Sequence, residues 1–343
     1  MSLSEKKVDV IIPTYNSMPW LEQTLDSVLR QTHHNIEIYV IDDGSTDKTE
    51  EMMTAVRDPR VHYLKKKNGG VSSARNYGVR NSSSEFVAFL DADDIWMPEK
   101  ISKQLEVLCS DPSIGMVYGH HNIIDEDNAI IGSLRLSDRG KLFDKLVNGN
   151  IIAGSASMVL VRRSIIAKAG EFREDFTNGE DWFMWLKISL LCQIDLVPEI
   201  IASIRVHPGG AQQQAIKMAD ALVYAYSVMK EELDLTNSQQ RLLASYCLFN
   251  PMVTYENLGD HSKALETMFY LFKENPPAKK DFVHWKLHFS AGIFGRIITS
   301  HPIFTPFRAF LLLLRKVSVF VRRSTLYIPR KLVSIFRRIY RRI

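Results

Sequence analysis

The chain has 343 residues, 45% of them hydrophobic and 24% charged, with a formal net charge of +4. These values suit a soluble globular protein of two or three domains, and they exclude a disordered polymer, a collagen-like repeat and a disulfide mini-scaffold. The charge is unevenly placed. Thirteen of the 43 lysines and arginines, and none of the 39 acids, lie beyond residue 281, so a mildly acidic body carries a wholly basic C-terminal segment.

In chain order, apolar runs at 8–12, 36–41, 61–64 and 86–90 are short, β-branched or aromatic, and nearly continuous. Strands covered on both faces read this way. Between them, Leu21, Leu25 and Val28 follow the capping pair Asn16-Ser17, and Ile101, Leu105 and Leu108 follow Pro98, a good first-turn residue; both are helical patterns. The alternation predicts a parallel, right-handed, doubly wound α/β sheet. Ligands of such sheets lie outside the carboxyl ends of the strands. The loops leaving those ends are PTYN, DDGSTD, NGG and DADD, all polar and turn-prone.

Farther along, strands are predicted over 115–119 and 157–162, with HNIIDED between them as a loop or hairpin. NGEDWFMWLKISLL opens a helix with Trp182, Trp185, Leu186 and Leu190 in one buried stripe, and a strand returns over 194–207 before Gly209-Gly210. Residues 211–280 read as helices, with a turn near Asn257–His261 and a stop at Pro276-Pro277. The expected division is therefore a sheet-based domain over 1–210, a helical extension over 211–280 and a basic amphipathic tail over 281–343.

Cys109, Cys192 and Cys247 are far apart and fit no CxxC or Cys/His spacing, which predicts buried thiols in a reducing compartment. The start of the chain lacks the apolar segment of a signal peptide. No stretch reaches the roughly 18 uncharged apolar residues of a membrane-crossing helix. A non-spanning protein is expected.

The chemistry-bearing motifs each allow a bland reading. Asp91 and Asp93 in DADD can share one hard divalent cation, or simply cap the next helix. Part of IDDGSTDKTE resembles an N-cap region, while Asp42 and Asp43 could accept hydrogen bonds from a ribose or a base. NGGVSSARN places two glycines before a short helix with Arg75, a start that favours an anion. No GxGxxG and no GxxxxGK[ST] is present, so neither a dinucleotide fingerprint nor a P-loop is expected. Glu180-Asp181 can serve the helix dipole or supply a general base. His207 stands alone after a strand and is either structural or a ligand.

Taken together and in order, VIIPTYN (10–16), IDDGSTD (41–47), NGGVSSARN (68–76), FLDADD (89–94), GED (179–181) and RVH (205–207) resemble the family 2 glycosyltransferases. The resemblance covers roughly residues 8–210. It implies a glycosyltransferase-A fold, Rossmann-like with a mostly parallel sheet. Position by position, it implies that Pro13, Thr14 and Tyr15 line a nucleotide pocket and that Asp43 meets the base, usually uracil. Asn68 and Arg75 would close on the nucleoside or phosphate, with Asp91 and Ala92 on the ribose or sugar. Asp93 would take Mn²⁺ or Mg²⁺, with His207 reaching the metal or diphosphate, and Asp181 would be the catalytic base. Gly154, Glu180 and Trp182 would lie on the acceptor side, although NIIAGSAS lacks the proline frequent there in relatives. The implied reaction moves a sugar, with inversion, from a nucleotide diphosphate donor to a saccharide or lipid-linked hydroxyl.

The tail keeps one helical phase. Phe310, Leu314, Val317, Val321, Ile328, Leu332, Ile335 and Ile339 form an apolar stripe, with basic pairs recurring on the other side. A basic amphipathic helix of this kind reads as lying in the interface of an anionic membrane, with a solvated partner-binding helix as the alternative. The tail therefore points to a peripheral position on the cytoplasmic face of the cell membrane. Nucleic acid is not expected, because aromatic spacing for base stacking is missing. Two rivals remain: a membrane-attached nucleotide-sugar binder without turnover, and a phosphatase of the haloacid dehalogenase type. Against the phosphatase, its strand–DxD motif would fall here on the fourth strand, and Ile95 stands where a small residue is expected.

Overall fold

The computed structural model describes residues 2–152, 154–207 and 215–274. The first part alternates as the apolar runs require: β1 (Val8–Thr14), α1 (Met18–Leu29), β2 (Ile36–Asp42), α2 (Thr49–Ala55), β3 (Val61–Lys65), α3 (Val71–Arg80) and β4 (Phe86–Phe89). β1 pairs in parallel with both β2 and β4, and β2 with β3. Every residue of β1 and β4 is buried, as near-continuous apolar runs demand.

The second part is β5 (Ile95–Trp96), α4 (Lys100–Ser110), β6 (Ile114–Ile124), β7 (Ile130–Leu134), α5 (Phe143–Val147), β8 (Leu160–Arg162), α6 (Arg163–Ala169), α7 (Glu180–Ser189) and β9 (Gln193–Arg205). All strands join one nine-stranded sheet of order β3-β2-β1-β4-β8-β6-β9-β5, with β7 paired to β6. β8 runs antiparallel to both neighbours, and β5 antiparallel to β9. The parallel half predicted from the first hundred residues therefore continues into a mixed half. HNIIDED is a hairpin, because β6 runs through Ile124 and turns at Asn128, in the left-handed region at φ 66°, into β7.

Three local readings change. Asn16 and Ser17 make no side-chain cap on α1; Asn16 sits at φ 52° and its Oδ1 instead accepts the Thr46 amide at 2.8 Å. Leu190 leaves the apolar stripe of α7 and is 56% exposed, because α7 ends at Ser189 and the chain turns there toward β9. Of the three free cysteines only Cys247 is fully buried, while Cys109 and Cys192 are half-buried.

α8 (Ala215–Glu232), α9 (Asn237–Asn257) and α10 (His261–Glu274) pack on one another, and α9 opens with a capping box between Thr236 and Gln239. α8 meets the segment before α7, where the Tyr224 hydroxyl donates to Asp175 at 2.6 Å and its ring lies edge-on to Phe176. Among the described residues no helix is long and apolar enough to cross a membrane. Gly209-Gly210, Pro276-Pro277 and the amphipathic stripe of 308–343 lie outside the described residues.

One charge sits inside β1. Asp9 is 1% exposed; its carboxylate accepts the Ser84 amide and hydroxyl, both at 2.6 Å, and the Arg163 guanidinium at 2.7 Å. Arg163 in turn donates to the carbonyls of Ser84 and Val79, which fastens the start of α6 to the strand β1 and the β4 approach. Breaking a buried pair leaves an uncompensated charge. Arg163→Met is expected to destabilise the fold by about 3–5 kcal/mol, read as a lower urea midpoint. A loss under 1 kcal/mol would contradict this account of Asp9.

Candidate functional site

From β1 the chain builds outward through β2 and β3, then crosses back to place β4 on the other side of β1. A crevice opens at such a reversal, at the carboxyl ends of the two strands. The loops PTYN and DADD leave those two ends.

The DADD turn is held by residues far along the chain. Thr24 Oγ1 donates to the carbonyls of Ala92 and Asp94 at 2.9 and 2.8 Å. Asp94, 2% exposed, accepts from Ser157 Oγ at 2.6 Å, Ser155 Oγ at 3.1 Å and the Arg205 amide at 2.9 Å. Burial and the neighbouring Asp93 and Asp91 push its carboxyl well above the usual range. Asp94 is thus the peg of the motif, and it leaves Asp91 and Asp93 facing the crevice, each only part-buried.

Asp93 Oδ2 lies 3.1 Å from His207 Nε2, and the Trp20 ring covers the imidazole at 4.2 Å between centroids. Burial and Asp91 raise the Asp93 carboxyl. Among the described residues no group of three or more carboxylate, histidine or cysteine side chains could hold a metal by itself. One carboxylate does fit Mg²⁺ or Mn²⁺, which keep most of their shell as phosphate oxygens and water, and the His207 imidazole stands beside it.

Arg75, at 3% side-chain exposure, donates Nη2 to Asp91 Oδ1 and Nη1 to Glu180 Oε1, both at 2.7 Å. Its guanidinium lies 5.5 Å from the Phe172 ring centre. One side chain therefore ties the DxD loop to the first turn of α7. The next residue, Asp181, accepts the Trp182 amide at 2.5 Å. Burial and then the Glu180 charge push its carboxyl up to about 7, against the pull of Arg75.

Several expected roles change on inspection. Asp43 is 3% exposed, and its carboxylate already accepts Lys66 Nζ at 2.6 Å and the Gly69 and Gly70 amides at 3.0 and 2.7 Å. The anion at the start of α3 is thus Asp43 itself, and a base would have to share it. Asp42 is buried and spent on the Ser45 amide and the Tyr63 hydroxyl. Glu180 is committed to Arg75 rather than open to an acceptor. Trp182, 2% exposed, donates Nε1 to the Leu146 carbonyl at 2.8 Å, so its ring meets protein on all sides and cannot touch an acceptor.

Pro13 and Thr14 are buried in the crevice floor, and Tyr15 is 51% exposed at its mouth. The hydroxyls of Thr14 and Ser72 are buried without a hydrogen-bond partner. Asn68 is exposed. Ala92, 5% exposed, takes part through its carbonyl. Gly154 sits at φ 102°, where a Cβ would stand 2.6 Å from the His121 ring. Asp94, Ser155, Ser157, Arg205 and Lys66 escaped the sequence reading. All but Lys66 lay inside stretches that had drawn notice, Asp94 in FLDADD, Ser155 and Ser157 in NIIAGSAS and Arg205 in RVH, without being given a role.

The model of the "Glycosyl transferase family 2" family matches residues 9–170. The Escherichia coli protein WfgD, a UDP-Glc:α-D-GlcNAc-diphosphoundecaprenol β-1,3-glucosyltransferase, is 32% identical over 182 residues, which span 53% of this chain and 69% of that one. The chain belongs to glycosyl transferase family 2. It spans about a third of the length of several Rickettsia glycosyltransferases of this family that it matches at 33–34% identity. Among solved structures, S. aureus TarS 1-349 in complex with UDP-GlcNAc superposes with a TM-score of 0.62 at 18% identity, covering 79% of this chain and 82% of that one. The mannosyltransferase PcManGT from Pyrobaculum calidifontis, in complex with GDP-Man and Mn²⁺, gives 0.56 at 18% identity, covering 92% and 87%. The family 2 chain thus has the glycosyltransferase-A fold.

A carboxyl raised on folding binds protons that the unfolded chain has released. Between the unfolded value near 4 and the folded value near 7, stability therefore falls as pH rises. Asp181→Asn removes this effect. In metal-free buffer the variant is expected to melt above wild type at pH 8, with the margin gone by pH 4. Equal differences at the two pH values would contradict the placement of Asp181.

Proposed function

We propose that the chain transfers a sugar from a nucleotide diphosphate donor, with UDP as the nucleotide, to a hydroxyl of a lipid-linked or polysaccharide acceptor at a membrane surface, with inversion and with a divalent cation. The observation that carries this reading is the strut of Arg75, which joins Asp91 of the donor-side loop to the turn that presents Asp181. Support comes from relatives of stated activity: a UDP-Glc transferase acting on a diphosphoundecaprenol-linked sugar, and fold neighbours bound to UDP-GlcNAc or to GDP-Man with Mn²⁺.

In this reading Pro13, Thr14 and Tyr15 bound the nucleoside, and Asn68 and the loop held by Asp43 close over it. Asp91 faces the ribose or sugar beside the Ala92 turn. Asp93 and His207 would hold Mn²⁺ or Mg²⁺, and such an ion supplies Lewis-acid neutralisation of the diphosphate. Gly154 lets the loop before Ser155 pass close over His121 on the acceptor side. The acceptor oxygen forms its bond to C1 as the bond from C1 to the diphosphate oxygen breaks, and Asp181 takes the hydroxyl proton. A carboxyl lifted to about 7 is well matched to that task near neutral pH. One base and one in-line displacement invert C1.

Asp181→Asn is expected to lower kcat by about 10²–10⁴-fold, the usual worth of a general base, with sugar-nucleotide affinity retained in calorimetry. Turnover near wild type would remove Asp181 from the chemistry. The membrane position rests on the stripe of residues 308–343 opposite its basic pairs. Deleting 308–343 is expected to abolish co-sedimentation with anionic vesicles, and unchanged co-sedimentation would end that part of the proposal.

A further inference from the structure

The helices beyond residue 215 follow the region matched by the family model, yet one of their side chains reaches the turn of Asp181. Tyr246, half-buried on α9, lies against the Trp182 ring at 5.1 Å between centroids and 68° between planes. Its other edge presses on Gly149. There, at φ 145°, an added Cβ would stand 2.7 Å from the tyrosine ring, so only glycine admits the contact without a shift. Burial raises the Tyr246 phenol above its ordinary value. α9 is fixed in this place by Gln239, which donates to Asp144 of α5 at 2.6 Å.

The chain is thereby held at Gly149 and again at Ser155. Tyr246 packs on it at Gly149 and, through Trp182, on the first turn of α7. Ser155 fastens the second point to Asp94 under the DxD loop. These two fastenings lie toward α7 on one side and toward the DxD loop on the other. Trp182 itself is buried and offers no open surface. Tyr246 is the half-exposed aromatic packed on it.

We propose that Tyr246 is a positioning residue for the acceptor: delivered by the C-terminal helices, it clamps the 148–150 turn onto the catalytic helix and so sets the opening through which a saccharide hydroxyl reaches Asp181. The proposal rests on the transferase reading above. It gives the helical extension a part in acceptor selection and predicts no part in nucleotide binding. Asp181 acts on the acceptor, and Tyr246 acts through the backbone that surrounds Asp181.

The test uses the full chain with Tyr246→Phe, which keeps the ring and its packing on Trp182 and Gly149, and Tyr246→Ala, which removes both. Hydrogen exchange is followed at residues 148–152 and 180–183, and at α3 on the donor side. Initial rates are measured with UDP-sugars and a synthetic GlcNAc-diphospholipid. Tyr246→Ala is expected to speed exchange at 148–152 and 180–183 while leaving α3 unchanged. It should raise the acceptor KM about tenfold or more and keep the donor KM within twofold. Tyr246→Phe, with the ring contacts kept, should restore the acceptor KM to within about twofold of wild type and the slow exchange at 148–152. Unchanged exchange at 148–152, or equal rises in donor and acceptor KM, would overturn the proposal. Failure of the transferase reading is separable, because it appears in the wild-type chain as absence of sugar-nucleotide turnover. The exchange comparison decides the clamp in either case.

Discussion

The buried guanidinium of Arg75 organises this molecule's crevice. Three carboxylates, Asp91, Glu180 and Asp181, converge from two segments about ninety residues apart in sequence, and without a cation between them they would repel. Arg75 binds two of them directly and tempers the third, so the DxD loop and α7 keep one relative position. Its depth is set from the sheet side. Gly78, one turn further along α3, sits where an added Cβ would stand 2.5 Å from Ile11 Cγ2. The helix therefore lies flush on β1, and Arg75 reaches inward without meeting water.

The rest of the site follows from the same economy of supports. Asp94 is buried and spent on Ser155, Ser157 and the Arg205 amide, which leaves Asp91 and Asp93 as the part-buried pair. Arg205 fastens the end of β9 to the same loop through the Asp93 carbonyl, two residues before His207. The imidazole is thus brought beside Asp93 by backbone that has its own reasons to be there. Rigid placement of this kind suits a reaction in which most of the protein's contribution is position and local charge.

Much of the architecture was legible from periodicity. The runs at 8–12, 36–41, 61–64 and 86–90 became strands because continuous β-branched sequence has few other stable outcomes when both faces are covered. Leu21, Leu25, Val28, Ile101, Leu105 and Leu108 are all buried. What failed was decided by tertiary partners. Leu190 has the right phase but falls past the end of α7, and Asn16 has a capping side chain that bonds Thr46 across the crevice mouth instead. Asp43 stands in a recognisable motif, yet Lys66 and two glycine amides claim its carboxylate. The contacts of Tyr246 with Gly149 and Trp182 span tens of residues in sequence, and no local pattern encodes them.

The central claim is that the crevice at the ends of β1 and β4 binds a sugar nucleotide together with a divalent cation. Thermal melts with UDP, GDP and their sugars, each in Mn²⁺ and in EDTA, test it most directly, since a ligand bound only to the folded state raises the melting temperature by mass action. The account predicts a rise with UDP or a UDP-sugar that disappears in EDTA and that Asp93→Ala abolishes. No rise with any nucleotide, or one indifferent to both EDTA and Asp93, would contradict it.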